Sequence, residues 1–310
     1  MKTSVVLSAY NGEKFILEQL ESIRLQTVSV DEVIILDDCS TDNTAQICQS
    51  FIDKYNLFHW HFEVNAQNKG FVKNFYDGFK KATGEIIFIC DQDDIWLPYK
   101  VERTKYFFNN HPDVMSICSS YSRFYKDTLL DQHVRIPNRK KRGIKKINFN
   151  EFCLFHGYLG MTTAFKKEVL QCHYKECIST IPYDISVNLI AVLQNGLYYV
   201  DEVLVNRRSY PESTSNMIAT EWKNKQFNGN QLLYSIHRHN LNLKAFRNFI
   251  LNYYENADNI KIINKYLLIN DIRFRYIGNK SFLQWLLCLN KFIKIYPIRK
   301  YITDGISLLK

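Results

Sequence analysis

Three short apolar runs, each closed at once by polar residues, recur along the first third of the chain with helical stretches between them: Val5-Val6-Leu7-Ser8, Val33-Ile34-Ile35-Leu36 and Glu85 to Cys90. His59 to Val64 reads as a further strand between the second and the third. Short runs of successive apolar residues predict strands buried on both faces. Between them, Glu13 to Leu25 carries apolar residues at 16, 17, 20 and 23, a helical spacing. A second helix is expected through Lys54, capped by Ser40 or Thr41, and a third over Gly70 to Ala82, stopped by Gly84. Val114 to Ser119 predicts another strand. This alternation predicts an α/β fold: a mostly parallel sheet with helices on both faces. Such sheets bind ligands beyond the carboxyl ends of their strands. The polar clusters Ser8 to Asn11, Asp37 to Asp42 and Asp91 to Asp94 all lie there.

The pattern loosens over 121–210 and turns helical from about 218, with only Gly278, Gly305 and Pro297 as breakers after 230. A domain boundary is expected near 215, giving an α/β domain over 1–216 and a helical region over 217–310. A chain of 310 residues can bury a core without disulfides or structural metal. Its eight cysteines include no C-x-x-C pair, which predicts buried free thiols in a reducing cytoplasm. The apolar run at Val5 is too short for a signal-peptide core, and no run reaches the ~18 residues that cross a membrane. The net charge of +9 and the 15% aromatic content leave three partners open: nucleic acid, an anionic membrane surface and a phosphorylated small molecule.

Chemistry concentrates in Cys90-Asp91-Gln92-Asp93-Asp94-Ile95-Trp96. Three carboxylates in four positions after a buried strand repel one another unless a cation sits between them. Hard oxygen ligands suit Mg²⁺ or Mn²⁺, above all when a substrate's phosphates complete the octahedron. An acidic turn capping the next helix, near Pro98, is the alternative. In the second cluster, Asp37-Asp38-Cys39-Ser40-Thr41-Asp42, capping does not account for two adjacent carboxylates. One of them can accept hydrogen bonds from a base or ribose.

The order Ser8-Ala9-Tyr10-Asn11, Glu13, Asp37-Asp38-x-Ser40-Thr41-Asp42, Asn68-x-Gly70, Asn74 and Asp91-x-Asp93-Asp94 resembles family 2 glycosyltransferases. Asp-Gln-Asp-Asp-Ile-Trp resembles in particular the bacterial rhamnosyltransferase-type members that build surface polysaccharides. The resemblance covers 3–120 strongly, weakens to about 216 and gives no guidance beyond. It implies a GT-A fold with a nucleotide-binding half (1–120) and an acceptor-binding half (121–216). It also implies a UDP- or dTDP-linked sugar donor, a glycan or lipid-linked glycan acceptor, and Mn²⁺ or Mg²⁺. Carried over by position, Ser8, Tyr10 and Glu13 border the base and Asp38 holds its ring. Lys69, Gly70 and Asn74 line the nucleotide, Asp91 meets the ribose and the metal, and Asp93 ligates the metal. Asp94 supports this set or caps the next helix. Trp96, Gly157 and Gly160 border the acceptor.

Inversion by direct displacement needs a base opposite the leaving diphosphate. Asp184 in Ile181-Pro182-Tyr183-Asp184 matches the place of the family's base; a helix cap is the alternative. Arg207-Arg208 with Asn216 resembles, at longer spacing, a segment that meets the diphosphate; a solvated pair is the alternative. The run Arg135 to Lys146 holds seven Lys/Arg and no acid and reads as a solvated loop. The tail from Ser281 carries Phe282, Trp285, Leu286, Leu289, Phe292 and Ile293 among Lys291, Lys294, Arg299 and Lys300. It suits a peripheral contact with an anionic membrane, or packing on the catalytic domain or on a second subunit, a dimer included. Two rivals remain. A nucleotidyltransferase is disfavoured because Ala9-Tyr10-Asn11-Gly12-Glu13 is not a Gly-rich phosphate loop. A nucleic-acid-binding module would rest on the basic run and is the least favoured.

Overall fold

Val5, Val6 and Leu7 are all fully buried because their strand, β1 (Thr3–Ala9), has neighbours on both sides and helices on both faces. The computed structural model describes residues 1–126, 128–134, 143–210, 227 and 230–308. Parallel to β1 run β2 (Glu32–Asp37) and β4 (Ile86–Asp91), with β3 (Trp60–Val64) beyond β2. This parallel block is the part that the apolar runs predict. The remaining strands are β5 (Ile95–Trp96), β6 (Ser116–Tyr125), β7 (Thr128–Val134), β8 (Ile144–Lys146), β9 (Thr163–Lys166) and β10 (Leu197–Arg208). The order is β3-β2-β1-β4-β9-β6-β10-β5, with β7 on β6 and β8 on β10. Past β4 the sheet becomes mixed: β9 is antiparallel to both β4 and β6, whereas β6 and β10 are parallel.

One face of β1 and β2 packs Val5, Leu7, Val33 and Ile35 on α1 (Ile16–Arg24) and α2 (Thr44–Tyr55), through Ile16, Leu20, Cys48 and Phe51. The opposite face carries α3 (Phe71–Lys81), whose Gly78 lets the helix lie directly on Val6 and Leu36. Phe75 of α3 stacks on Tyr183 of α7 (Tyr183–Leu193), with ring centroids 4.2 Å apart. The other helices of this part are α4 (Lys100–Asn110) and α6 (Tyr174–Ile178).

By internal contacts the chain divides into two units. The first holds 1–148 and 155–209, and the second 149–154 and 210–310. The second is helical: α5 (Phe149–Leu154), α8 (Gln231–Tyr253), α9 (Ala257–Gly278), α10 (Phe282–Leu287), α11 (Leu289–Phe292) and α12 (Ile298–Leu308). Asn230, Asn256 and Ser281 cap α8, α9 and α10 through their side-chain oxygens. Arg273 of α9 is fully buried on Asp304 of α12, Nε to Oδ2 2.8 Å and Nη2 to Oδ1 2.9 Å. All eight cysteines are unpaired, six of them buried. Among the described residues no helix is long and apolar enough to cross a membrane.

Two expectations need correction. Neither Ser40 nor Thr41 caps α2. Ser40 gives its N–H and hydroxyl to Asp37 (2.8 and 2.6 Å), and Asp42 receives the N–H of Thr44, the first helical residue, at 3.0 Å. The basic run is not one loop, since Lys145 and Lys146 belong to β8; its residues 135–142 lie outside the described residues, as does Asn216.

Candidate active site

The carboxyl ends of β1, β2 and β4 lie side by side, pairing Ser8 with Leu36 and Asp91, and Ala9 with Asp37. Just beyond β2, Asp38 is 2% exposed. Its Oδ1 accepts Asn65 Nδ2 (2.9 Å) and the Lys69 N–H (2.8 Å), and its Oδ2 accepts the Gly70 N–H (2.8 Å). A carboxylate has about four acceptor positions, so Asp38 keeps little capacity for a ligand and mainly holds the 65–70 loop against the sheet. Gly70 turns that loop with φ +81°, a conformation that costs a residue with a Cβ. Asn74 is fully buried, its Nδ2 donating to Ser8 Oγ (2.7 Å) and the Leu36 carbonyl (2.8 Å). It braces the strand ends and does not face an open nucleotide site. Lys69 Nζ donates to Asn65 Oδ1 at 2.8 Å. Glu13 Oε2 accepts both the N–H and the Nδ2 of Asn43 (3.1 and 2.9 Å). Tyr10 is 46% exposed, with its ring available to a planar ligand.

The acidic motif faces this row. Gln92 clamps it to the β1 turn, with Oε1 accepting the Tyr10 N–H (2.8 Å) and Nε2 donating to the Tyr10 carbonyl (3.0 Å). Tyr183 Oη donates to Asp91 Oδ1 at 3.3 Å. Burial, with the charges of Asp93 and Asp184 nearby, pushes the Asp91 carboxyl up to about 7, while Arg207 pulls against that rise. Residues 91 and 184, far apart in the chain, therefore share one electrostatic site. Asp184 is not the cap of α7, a place held by Pro182. It sits in the first turn, where Oδ2 accepts the Gly160 N–H (3.1 Å) and Oδ1 its neighbour's, Ile185 (2.8 Å). The helix dipole favours negative charge there. Gly160 has no room for a side chain, because a Cβ would stand 2.8 Å from Tyr183 Oη.

The two arginines part ways, as successive strand residues do. Arg208 is spent inside the fold. Its Nε donates to the Asp93 carbonyl (3.0 Å) and its Nη2 pairs with Glu18 (2.9 Å), while the guanidinium stands over Phe15 and Phe124 at 4.4 and 4.6 Å. Its N–H holds Asp94 Oδ1 at 3.0 Å, so Asp94 latches β10 and is not the cap of α4. Burial and the charges of Asp93 and Asp91 push the Asp94 carboxyl well above its usual range. The charge of Arg207 works against the rise of both the Asp91 and the Asp94 carboxyls. Trp96, expected at the acceptor, is 2% exposed and packs on Phe88. Its short strand β5 pairs with β10 and belongs to the core. Gly157 is exposed and lines a small recess with Cys118, Tyr158 and Tyr199.

Sequence reasoning missed Gln92, Tyr183 and Lys100. Lys100 is buried with Nζ 2.6 Å from the Met161 carbonyl and 3.9 Å from the Trp96 ring centroid, and burial drives its pKa down to about 7. Only the adjacency of Tyr183 to Asp184 could have flagged one of them. Among the described residues no three His, Cys, Asp or Glu side chains form a ready cage for a metal. Asp91 and Asp93 are hard oxygen ligands of the kind that would hold a cation keeping waters or substrate phosphates in its shell, and such a cation would relieve the repulsion that adds to burial in raising the Asp91 carboxyl.

A GT-A type α/β sandwich, with an acidic turn after β4 and an acid on the first turn of α7, defines the class. The chain belongs to glycosyl transferase family 2, whose model matches residues 4–174. It is 36% identical over 120 residues to the poly(ribitol-phosphate) beta-N-acetylglucosaminyltransferase TarS of Staphylococcus aureus (strain Mu50), covering 38% of this chain and 21% of that protein. The chain thus spans about a fifth of that relative's length. An uncharacterized glycosyltransferase of Rickettsia typhi is 26% identical over 222 residues, 69% of this chain and 65% of its own. The crystal structure of S. aureus TarS 1–349 in complex with UDP-GlcNAc superposes with a TM-score of 0.65 at 18% identity, over 99% of this chain and 89% of that one. That likeness bears on the fold.

Proposed function

We propose that the protein transfers a sugar, with inversion, from a nucleoside-diphosphate donor to a hydroxyl of a glycan or lipid-linked glycan in the synthesis of a bacterial surface polymer. The observation that carries this reading is the convergence of Asp91 and Asp184, tied through Tyr183. Two acidic groups from distant segments there serve a donor on one side and an acceptor on the other. A UDP-linked donor is supported by the UDP-GlcNAc complex of the TarS structure. A polymeric acceptor is supported by the TarS name.

In this reading Tyr10 stacks on the base, Ser8 and Glu13 border it, and the remaining acceptor position of Asp38 meets the ring. Lys69 and Gly70 close the loop over the nucleotide. Asp91 and Asp93 would hold Mn²⁺ or Mg²⁺, whose chemistry is to offset the charge of the departing diphosphate. Arg207 adds a second cation on that side. Asp184 takes the proton of the acceptor hydroxyl as its oxygen bonds the anomeric carbon and the bond to the diphosphate breaks. Gly157 and Gly160 border the acceptor, and the Gly160 N–H aims the Asp184 carboxylate. The free buried thiols support work in a reducing compartment, on the cytoplasmic side of a membrane.

The test is a thermal-shift series with UDP-, dTDP- and GDP-sugars, with and without Mn²⁺. A ligand at a hundred times its Kd stabilises by about 2.7 kcal/mol. One nucleotide should raise the melting temperature with Mn²⁺, and Asp93→Ala should remove the Mn²⁺-dependent part. Indifference to every nucleotide contradicts the reading.

A further inference from the structure

We infer that the outer face of α10, α11 and α12 is a docking surface for an anionic lipid bilayer. α12 has two apolar sides. Tyr301 and Gly305 face inward, whereas Ile298, Ile302 and Ile306, four residues apart, form one line on the exposed side, each about half exposed. A surface helix ordinarily turns polar residues outward. α10 goes further: none of its residues is buried, and Phe282, Leu283, Leu286 and Leu287 are all at least half exposed, Leu287 at 75%. Exposed apolar groups gathered this closely mark an interaction surface.

The surface is preformed. Trp285 of α10 stacks on Tyr301 of α12 with centroids 4.6 Å apart and donates Nε1–H to the Tyr301 carbonyl at 3.0 Å. The hydrophobic residues are therefore held outward by a packed scaffold.

Charge selects the occupant. Lys280, Lys291, Lys294 and Arg299 are exposed in the same stretch. The one acid between 279 and 308, Asp304, is fully buried on Arg273. The stretch thus exposes cations and apolar groups and no anion. A second copy meeting it about a two-fold axis would set like charges together. Anionic headgroups complement the cations while the leucines and isoleucines enter the acyl boundary. The inference deepens the proposed function by bringing the chain to a lipid-linked acceptor, but vesicle binding is read without any sugar donor, so the two can fail separately.

The experiment is flotation of the full chain with vesicles of phosphatidylcholine alone or with about a third phosphatidylglycerol. Binding to the anionic vesicles should be at least about ten-fold tighter and should weaken at high salt. Leu283→Gln/Leu287→Gln, and separately Ile302→Gln, should each weaken it about ten-fold or more. Melting temperatures should stay unchanged, because these side chains are exposed. A chain that stays off anionic vesicles, or that binds neutral ones equally, overturns the inference. So does a dimer in analytical ultracentrifugation that the same substitutions dissociate, which would assign the face to a second copy.

Discussion

Replacing Arg208 by Met separates two roles for this residue, contact with a diphosphate or an internal latch. Met keeps the apolar stem between Phe15 and Phe124 but removes the guanidinium. The hydrogen bond to the Asp93 carbonyl is charge-assisted and largely buried, worth about 1.5–2 kcal/mol. The pair with half-exposed Glu18 is worth about 0.5 kcal/mol, and the two ring contacts about 0.5 kcal/mol each. Together the loss is about 3 kcal/mol. In a unit of this size it lowers the melting temperature by about 6–12 °C. The Arg208 N–H to Asp94 survives in the variant, so the β10 backbone should keep its place. Urea unfolding by circular dichroism reads the loss, and calorimetry reads nucleotide affinity. An unchanged melting temperature together with at least ten-fold weaker UDP binding would refute the latch and return Arg208 to the diphosphate.

Two further outcomes follow from the packing. Gly160→Ala drives a methyl group against Tyr183 Oη and shifts the pair that sets Asp91 and Asp184. We expect a loss in kcat of about a hundred-fold with a stability cost of about 1–3 kcal/mol, measured by steady-state turnover and thermal melting. In the helical unit, burial and then the charge of Lys300 hold His239 down to about 3, with Nε2–H on the Cys153 carbonyl at 2.7 Å. A folded-state pKa below the unfolded value of about 6.5 means stability is intact above that pH and is lost as pH falls toward 3. At pH 5 the loss is about 2 kcal/mol. His239→Gln should flatten the melting curve against pH between 6.5 and 4, and an unchanged slope counts against it.

What the sequence made legible follows from where satisfaction is local. β1, β2 and β4 are buried on both faces, so their apolar runs announce them. The acidic turn after β4 stands out because Asp91, Asp93 and Asp94 fall so close together. Trp96 is placed at the acceptor by the resemblance, whereas its burial depends on β5 pairing with β10, more than a hundred residues on. Arg207 and Arg208 are adjacent, and only the register of β10 decides that Arg208 is the one held by the Asp93 carbonyl and Glu18. Asp38 and Asn74 look like ligand contacts at strand ends, yet three of Asp38's acceptor positions are taken by the 65–70 loop and the Asn74 amide donates to Ser8 and the Leu36 carbonyl. Asp184 is singled out by the family resemblance, but its partner, the Gly160 N–H, is visible only in three dimensions.

In the proposed reaction Asp184 takes the acceptor's proton while the β1, β2 and β4 ends hold the donor. Asp184→Asn keeps the shape and removes the base; its single amide oxygen can accept the Gly160 N–H but not the Ile185 N–H as well. Calorimetric binding of whichever nucleotide sugar stabilises the protein, with Mn²⁺, is measured beside release of its nucleoside diphosphate during transfer. Donor affinity should stay within about two-fold of the unaltered protein while transfer falls by at least about a hundred-fold. Full transfer by Asp184→Asn would contradict that role for Asp184.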